Sequence, residues 1–173
     1  GDSVEVVDRA RLLAIVAASG DLTKVCVSHV TDMKNVFQGA KWFNQDIGHW
    51  DVSNVTNMGG MFFNAETFNQ DISTWNMGAV VNTKLMFFRA DSFNQPIGNW
   101  NTGNVVTMYR MFFESDAFDQ PIGNWEVGSI QHFTRAFQGA TSFNQPLNSW
   151  NLSSAISLAS MFQDCPNFDQ DLS

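Results

Sequence analysis

The sequence is poor in cysteine, in basic residues and in long apolar runs, and each shortage excludes a class of protein. Two cysteines in 173 residues are too few for a disulfide scaffold. Only 9 lysines and arginines stand against 17 aspartates and glutamates, for a net charge of −8, whereas nucleic-acid-binding domains carry a basic patch. No apolar run reaches the length of about 18 residues that a membrane helix needs. We therefore expect no nucleic-acid partner and no transmembrane segment.

Tyrosine is also scarce, although aromatic residues are abundant. The chain has 16 phenylalanines and 6 tryptophans but a single tyrosine. Hydrophobic residues make up 44% of the chain, enough for a sizeable core in one domain of this length. This skewed usage indicates a structure that reuses the same few core residues.

One eight-residue phrase recurs along the chain at a fixed interval. It reads FNQDIGHW from Phe43, FNQPIGNW from Phe93 and FNQPLNSW from Phe143. The tryptophans of the phrase, each 25 residues from the next, are Trp50, Trp75, Trp100, Trp125 and Trp150. A fixed period in this range is typical of repeat proteins. Neighbouring units stack because no single unit can bury its apolar face alone.

Each 25-residue unit shows two apolar patterns. Trp50 and Val52 alternate with polar residues, which indicates a short strand with one buried face. A second set, typical of a helix, consists of Val55, Met58, Phe62 and Ala65, with Thr56 as a possible N-cap. The sequence therefore predicts an α/β solenoid of six 25-residue units. Its short parallel strands lie on one side, near residues 25, 50, 75, 100, 125 and 150, and its short helices lie on the other.

A capping helix is predicted before the first unit, which begins at Leu22. The segment from Glu5 to Ser19 is amphipathic, and Asp8 can serve as its N-cap. We therefore divide the chain into a capping helix, residues 1–21, and a solenoid, residues 22–173. No capping segment follows the sixth unit, and a seventh strand would begin at Leu172. We expect further chain or another molecule to cover that uncapped end.

From Leu22 to Ser173 the units resemble the BspA-type leucine-rich repeat family of microbial and algal surface proteins. The resemblance rests on FNQDIGHWDVSNVTNM, residues 43–58, followed by MFF from Met61. It implies a leucine-rich-repeat-like stack, often in secreted or cell-surface proteins that bind other macromolecules. It implies no catalytic residue and no cofactor.

Residues that could carry chemistry do not form a recognisable constellation. The histidines His29, His49 and His132 fall at different points of the repeat. Cys26 lacks the third, orienting group that a nucleophile and base require, and Cys165 stands at a small core position. We therefore predict that the protein is not an enzyme.

One acidic column could hold a metal ion. Asp21, Asp46 and Asp71 occupy equivalent positions in successive units, and stacked carboxylates suit Ca²⁺. Proline takes the same position in the next three units, and both residue types suit a turn. We therefore expect turn residues and no metal, and keep a Ca²⁺ site as the weaker alternative.

The units differ most clearly at the position that follows the core phenylalanine of the predicted helix. Three middle units carry Phe63, Phe88 and Phe113, whereas the outer units carry glutamine. Leu85 and Tyr109 lie in the same middle segment. Apolar surface patches mark partner sites, and aromatic side chains are favoured anchors. We predict that these five residues bind a partner; the alternative is that the phenylalanines fold back over the edge of the core.

Two interpretations of function follow. The first is a non-enzymatic protein–protein interaction or scaffold module, of which a subunit of a larger assembly is one form, with another protein or complex as partner. The second is an adhesin-like surface domain that binds glycans or host proteins through its polar face, which carries Asn99, Asn124 and their equivalents.

We expect an extracellular or cell-surface location, with an organelle lumen as the alternative. Glycosylation at the Asn54 and Asn151 sequons, the identity of the partner and the oligomeric state stay open.

Overall fold

A computed structural model of the chain describes residues 3–171. Its named elements are β1 (Glu5–Val6), α1 (Arg9–Ala17) and β2 (Val25–Cys26). β1 and β2 pair in parallel. Isolated parallel bridges then join each unit to the next, through Asp32, Asn57, Asn82, Thr107, His132 and Ser157. No helix within the described residues has the length and apolarity that a membrane crossing requires.

Two columns of phenylalanine form the centre of the core, where a column is a set of positions 25 residues apart. In the first column, neighbouring ring centroids are 5.4–5.6 Å apart. Its members are Phe37, Phe62, Phe87, Phe112, Phe137 and Phe162. In the second column the spacing is 5.6–6.2 Å. Its members are Phe43, Phe68, Phe93, Phe118, Phe143 and Phe168. Successive units therefore lie directly on one another, with like side chain against like.

The tryptophan of each phrase is buried and bonded to the unit before it. The indole Nε1–H of Trp100 donates to the carbonyl of Ile72 at 3.1 Å, and that of Trp125 donates to Ile97 at 3.0 Å. Trp50, Trp75 and Trp150 make the equivalent bond. A buried polar group without a partner is costly. This bond explains why an indole, and not a phenyl ring, recurs at the position.

The Asn-Gln pair of the phrase also joins neighbouring units. Asn94 donates its backbone N–H to Asn69 Oδ1 at 3.0 Å. Its own Oδ1 accepts from the backbone N–H of Asp119 at 3.0 Å and from Gln120 Nε2 at 2.8 Å. The same pattern recurs one unit later with Asp119 as the acceptor. The phrase is repeated because each copy supplies the partners that the next copy requires.

The strands predicted near residues 50, 75, 100, 125 and 150 are wrong for the residues that the structure describes; only the strand near residue 25 is present, as β2. At Trp50 the backbone N–H bonds to Ile47 O at 3.1 Å, and Asp51 Oδ1 accepts from Ser53 N at 3.0 Å. Polar side chains that bond to the nearby backbone compete with a strand ladder. The segments are therefore turns.

The short helices predicted inside the units are also wrong, since α1 is the one α-helix among residues 3–171. In the unit of Phe62, alternate N–H groups bond to the following unit: Met58 N to Asn82 O, Gly60 N to Lys84 O and Phe62 N to Met86 O. Between them, Met61 N bonds to Met58 O, three residues back, and Gly59 N bonds to the side-chain Oδ1 of Asn57 at 3.1 Å. Thr56 consequently caps no helix and donates its N–H to Thr31 O at 2.9 Å.

Two columns within these turns adopt left-handed backbone conformations. One contains Leu85 at φ 60° and Arg110 at φ 51°, and the other contains Arg89 at φ 52° and Glu114 at φ 51°. Such a conformation costs a non-glycine residue about 1–2 kcal/mol. Glycine occupies these columns at Gly39, Gly60 and Gly139. The inter-unit hydrogen bonds hold the other residues in this conformation.

The N-terminal cap is shorter than predicted. α1 covers Arg9–Ala17 instead of residues 5–19. It begins at Arg9 because Asp8 is its N-cap, whose side chain accepts the backbone N–H of Arg11, and its C-cap is Ala18. The N-cap assignment of Asp8 is thus confirmed. Arg9 donates to Asp32 O at 3.1 Å and to Lys34 O at 2.7 Å. In later units, the equivalent carbonyls accept backbone N–H groups of the preceding unit, so the Arg9 guanidinium replaces a missing unit. The seventh strand predicted at Leu172 lies outside the described residues.

Candidate interaction surface

The phenylalanines predicted to bind a partner lie in line on one face of the stack. Phe63 and Phe88 have ring centroids 4.5 Å apart and nearly parallel planes, and Phe88 and Phe113 are 4.7 Å apart. All three side chains are half-buried. We call these three residues the aromatic stripe. Its outer rings are about 9 Å apart, and its exposed edges form a continuous apolar strip.

Leu85 and Tyr109, the other two predicted residues, are half-buried beside the stripe. Leu85 and Phe63 line the same surface depression. The Tyr109 ring lies 5.2 Å from the Arg110 guanidinium, which is also 5.4 Å from the ring of Phe113. The structure thus brings all five predicted residues together on one surface.

A row of cations borders one side of the stripe. It was not predicted from the sequence. It occupies two adjacent columns in which no acidic residue occurs. We call it the basic edge, and it consists of Lys34, Lys84, Arg110 and Arg135. The Lys84 ammonium lies 5.0 Å from the centroid of the Tyr109 ring, a distance at which the cation and ring attract each other. The signal in the sequence is visible only when the columns of all six units are compared.

A row of carboxylates lies on the other side of the stripe, where it lines a second depression together with Arg89, whose guanidinium is 5.8 Å from the ring centroid of Phe88. We call this row the acidic edge, and it consists of Glu66, Asp91, Glu114, Asp116 and Asp164. Two of its members are paired, Glu66 with Lys41 at 2.6 Å and Glu114 with Arg89. Burial raises the pKa of Asp91, and the neighbouring charges of Asp116 and Glu66 raise it further. Negative charge on this side therefore exceeds the cations available to balance it.

The three aspartates of the possible Ca²⁺ site each serve their own turn. Asp21, Asp46 and Asp71 accept the backbone N–H two residues ahead at 2.9, 3.0 and 2.9 Å. Hydrogen bonds from Thr23 lower the pKa of Asp21, and hydrogen bonds from Ser73 lower that of Asp71. Within residues 3–171 no three His, Cys, Asp or Glu side chains are grouped so that they could hold a metal ion.

The cysteines do not form a reactive pair with histidine. Cys26 Sγ lies 3.4 Å from Ser28 Oγ, and the hydrogen bonds of Ser28 lower the pKa of the Cys26 thiol. Cys165 donates to Phe137 O at 2.8 Å, and burial raises its pKa. Both thiols are free, and each has a structural partner.

The polar face predicted as the alternative binding surface is exposed. Asn99 and Asn124 lie on it, and a shallow depression there is lined by Asn124, Glu126 and Ser149. Both sequon asparagines are exposed as well. Asn54 donates to Ser28 O at 3.0 Å, and Asn151 Oδ1 accepts from Ser153 N at 3.1 Å.

Comparison with known proteins gives one family. The sequence profile of the family described as Mycoplasma protein of unknown function, DUF285, matches residues 10–103 and 77–173. Two overlapping matches to one chain agree with its repeated units. No curated protein and no solved structure matches the chain.

Proposed function

The chain belongs to the DUF285 family of repeat-containing proteins, and on that premise we propose that it is a non-enzymatic module for protein–protein interaction or scaffolding, a subunit of a larger assembly. The observation that carries the proposal is the aromatic stripe. Its three rings replace the glutamines Gln38, Gln138 and Gln163 of units that keep the same core. Core packing alone therefore does not require them.

The fold that we propose for this module is a leucine-rich-repeat-like solenoid of the BspA type. The parallel bridges between successive units and the continuous phenylalanine columns support it. In such a stack the units are held by nearest-neighbour contacts, so a change at one exposed column leaves the core of the other units in place. We also propose an extracellular or cell-surface location, or the lumen of an organelle, on the basis of the resemblance to BspA-type repeats.

Binding of a partner to the stripe would cost little conformational entropy, because the rings of the stripe are half-buried and already ordered. Stacking of Phe88 between Phe63 and Phe113 fixes the ring before binding, and a preorganised anchor loses little conformational entropy on association. The cations at Arg110 and Lys84 add polar contacts at the rim, and interfaces commonly combine an apolar centre with a polar rim.

Replacing Phe63, Phe88 and Phe113 together with glutamine is expected to weaken partner binding at least tenfold and to leave the fold intact. The loss follows from removal of the apolar anchors, and the fold survives because the outer units already carry glutamine at this position. The measurement is the amount of protein captured from an extract of the source cells by immobilised wild-type and variant chains, quantified by mass spectrometry.

The matched control carries Asn99→Ala and Asn124→Ala on the polar face. It should capture the same proteins as the wild type. A folded triple variant that captures an unchanged set of proteins would show that the stripe is only the edge of the core.

The second candidate function is glycan binding by an adhesin-like domain. The depression beside Asn124, Glu126 and Ser149 favours it, since amide, carboxylate and hydroxyl groups can hydrogen-bond to sugar hydroxyls. The Trp125 ring beneath is only 4% exposed and offers no stacking platform. A glycan array separates the two functions, because binding there that is lost in the Asn99/Asn124 variant and kept in the triple phenylalanine variant would favour the polar face.

A further inference from the structure

The net charges that flank the aromatic stripe have opposite signs on its two sides: the depression on the acidic side is lined by five carboxylates and by one cation, Arg89. Across the surface, the chain presents the basic edge, then the stripe, then the acidic edge. The sequence order in the unit of Phe88 shows this: Lys84 precedes Phe88, and Asp91 follows it after Arg89. In the next unit Arg110 precedes Phe113, and Asp116 follows it. Both edges run along the direction in which the units stack.

A surface of this kind is complementary to a copy of itself in one orientation. A twofold axis that lies in the interface, parallel to the stripe, keeps each unit level with the same unit of the second copy and exchanges the two edges. The basic edge of each copy then faces the acidic edge of the other. A twofold axis in the same plane at a right angle to the stripe would place like charges opposite each other, which disfavours association.

We propose that the aromatic stripe binds a second copy of this chain, in a twofold dimer whose two stacks run parallel. This inference rests on the proposed function, in which the stripe is a partner surface. In the dimer Phe88 packs against Phe88 of the second copy. Lys84 lies opposite Asp91 of the second copy, and Arg110 lies opposite its Asp116.

The present surroundings of these charges favour such a partner. Among the residues that the structure describes, no member of the basic edge takes part in an ion pair. The Nε of Arg110 is buried there without a hydrogen-bond partner. On the acidic edge, Asp91 has acidic neighbours in Glu66 and Asp116. Cations from a second copy would relieve this repulsion, and carboxylates from it would pair with the basic edge.

The complementary charges coincide with the stripe along the stack. The units of Phe88 and Phe113 carry both a cation on the basic edge and a carboxylate in the column of Asp91 and Asp116. The unit of Gln38 has lysine in both columns, Lys34 and Lys41, and the unit of Gln138 has Thr141 in place of the carboxylate. Charged contact is therefore most favourable at the units of Phe88 and Phe113, whereas the unit of Phe63 has Gly59 and Gly60 in the basic columns.

A charge-reversal and mixing experiment tests the dimer. One variant reverses the basic edge with Lys84→Glu and Arg110→Glu, and a second reverses the acidic edge with Asp91→Lys and Asp116→Lys. Sedimentation velocity of each variant and of the wild type, over a range of concentrations, gives the dimer dissociation constant. We expect the wild type to dimerise and each variant alone to dimerise at least tenfold more weakly, because its two edges then carry one sign and repel.

An equimolar mixture of the two variants is expected to restore dimerisation, as a heterodimer in which both charged contacts are again complementary. The control Asn99→Glu/Asn124→Glu adds negative charge on the polar face. Its stripe and both edges are those of the wild type, so alone it should dimerise like the wild type. Mixed with the acidic-edge variant, it should form little heterodimer, because only one of the two charged contacts is then complementary. Circular dichroism checks that each chain is folded. If a double variant is unfolded, the single variant Lys84→Glu or Asp91→Lys takes its place in the experiment.

A wild type that stays monomeric at every concentration would overturn the dimer, as would variants that dimerise like the wild type or a mixture that stays monomeric. These failures differ from failure of the proposed function. If the wild type is monomeric and still captures a different protein through the stripe, only the inference about the second copy is lost. If the triple phenylalanine variant captures an unchanged set of proteins and dimerises like the wild type, both are lost.

Discussion

Trp100→Ala is expected to lower the free energy of unfolding by about 3–5 kcal/mol. The Trp100 side chain is only 4% exposed, it stacks on Trp125 at 6.2 Å, and its indole N–H satisfies the carbonyl of Ile72. The substitution therefore leaves a cavity and removes one of the two hydrogen bonds that Ile72 O accepts, the other being from the backbone N–H of Trp75 at 3.2 Å. Urea denaturation followed by circular dichroism measures the change.

Asn101→Ala, at the next residue, is the matched control for Trp100→Ala. Asn101 is exposed and makes one local bond, to the N–H of Gly103 at 3.2 Å. Water can replace that bond, so we expect a cost of about 0.5 kcal/mol or less. Equal denaturation midpoints for the two variants would contradict the assignment of the tryptophan column to the core.

Asn94→Ala is expected to cost about 1–3 kcal/mol, since it leaves one half-buried donor without an acceptor and removes one of the two acceptors of a second donor. The first donor is the N–H of Asp119, which bonds to Asn94 Oδ1. The second is Gln120 Nε2, which bonds to Asn94 Oδ1 at 2.8 Å and keeps its bond to the backbone O of residue 94 at 3.1 Å. Urea denaturation, as for Trp100→Ala, measures this change in the free energy of unfolding.

Asn94→Asp tests whether the acceptor oxygen is what matters. Asp119 already fills this column and accepts the equivalent two bonds, so the aspartate variant should lose less than about 1 kcal/mol. If the alanine and aspartate variants are equally stable, the Asn-Gln pair does not hold the units together.

The burial pattern of the repeat could be predicted from the sequence. The 25-residue spacing of Trp100 and Phe93 with their equivalents identified the buried columns, because only stacked units place like residues in contact. The cap residue Asp8 was also predictable, since an acidic residue directly before an amphipathic segment favours an N-cap.

The local conformation within each unit could not be predicted in the same way. Val55, Met58, Phe62 and Ala65 have helical spacing, but a succession of turns places apolar residues at the same intervals. The deciding interactions are bonds to the next unit, such as Gly60 N to Lys84 O, which no single unit reveals. Leu85 and Arg110 adopt left-handed conformations that their residue types do not favour.

The aromatic part of the candidate surface could be predicted from the sequence, but its charged edges could not. The replacement of glutamine by Phe63, Phe88 and Phe113 was visible as a departure from the repeat. The charged edges were not recognised, because Lys84, Arg110 and Asp91 each look like ordinary surface residues. Their meaning depends on which side of the stripe they occupy, and that requires the stacked structure.

Hydroxyl-radical footprinting of the stripe tests the central claim most directly, namely that the departures from the repeat form the partner surface. The protein is oxidised free and in its associated state, and modification of each phenylalanine is measured by mass spectrometry. Phe162 and Phe168, which are partly exposed in the last described unit, serve as internal references. We predict a several-fold lower oxidation of Phe63, Phe88 and Phe113 in the associated state, with the references unchanged. Unchanged oxidation of these three residues, together with protection of peptides around Asn99 and Asn124, would contradict the claim and place the partner on the polar face.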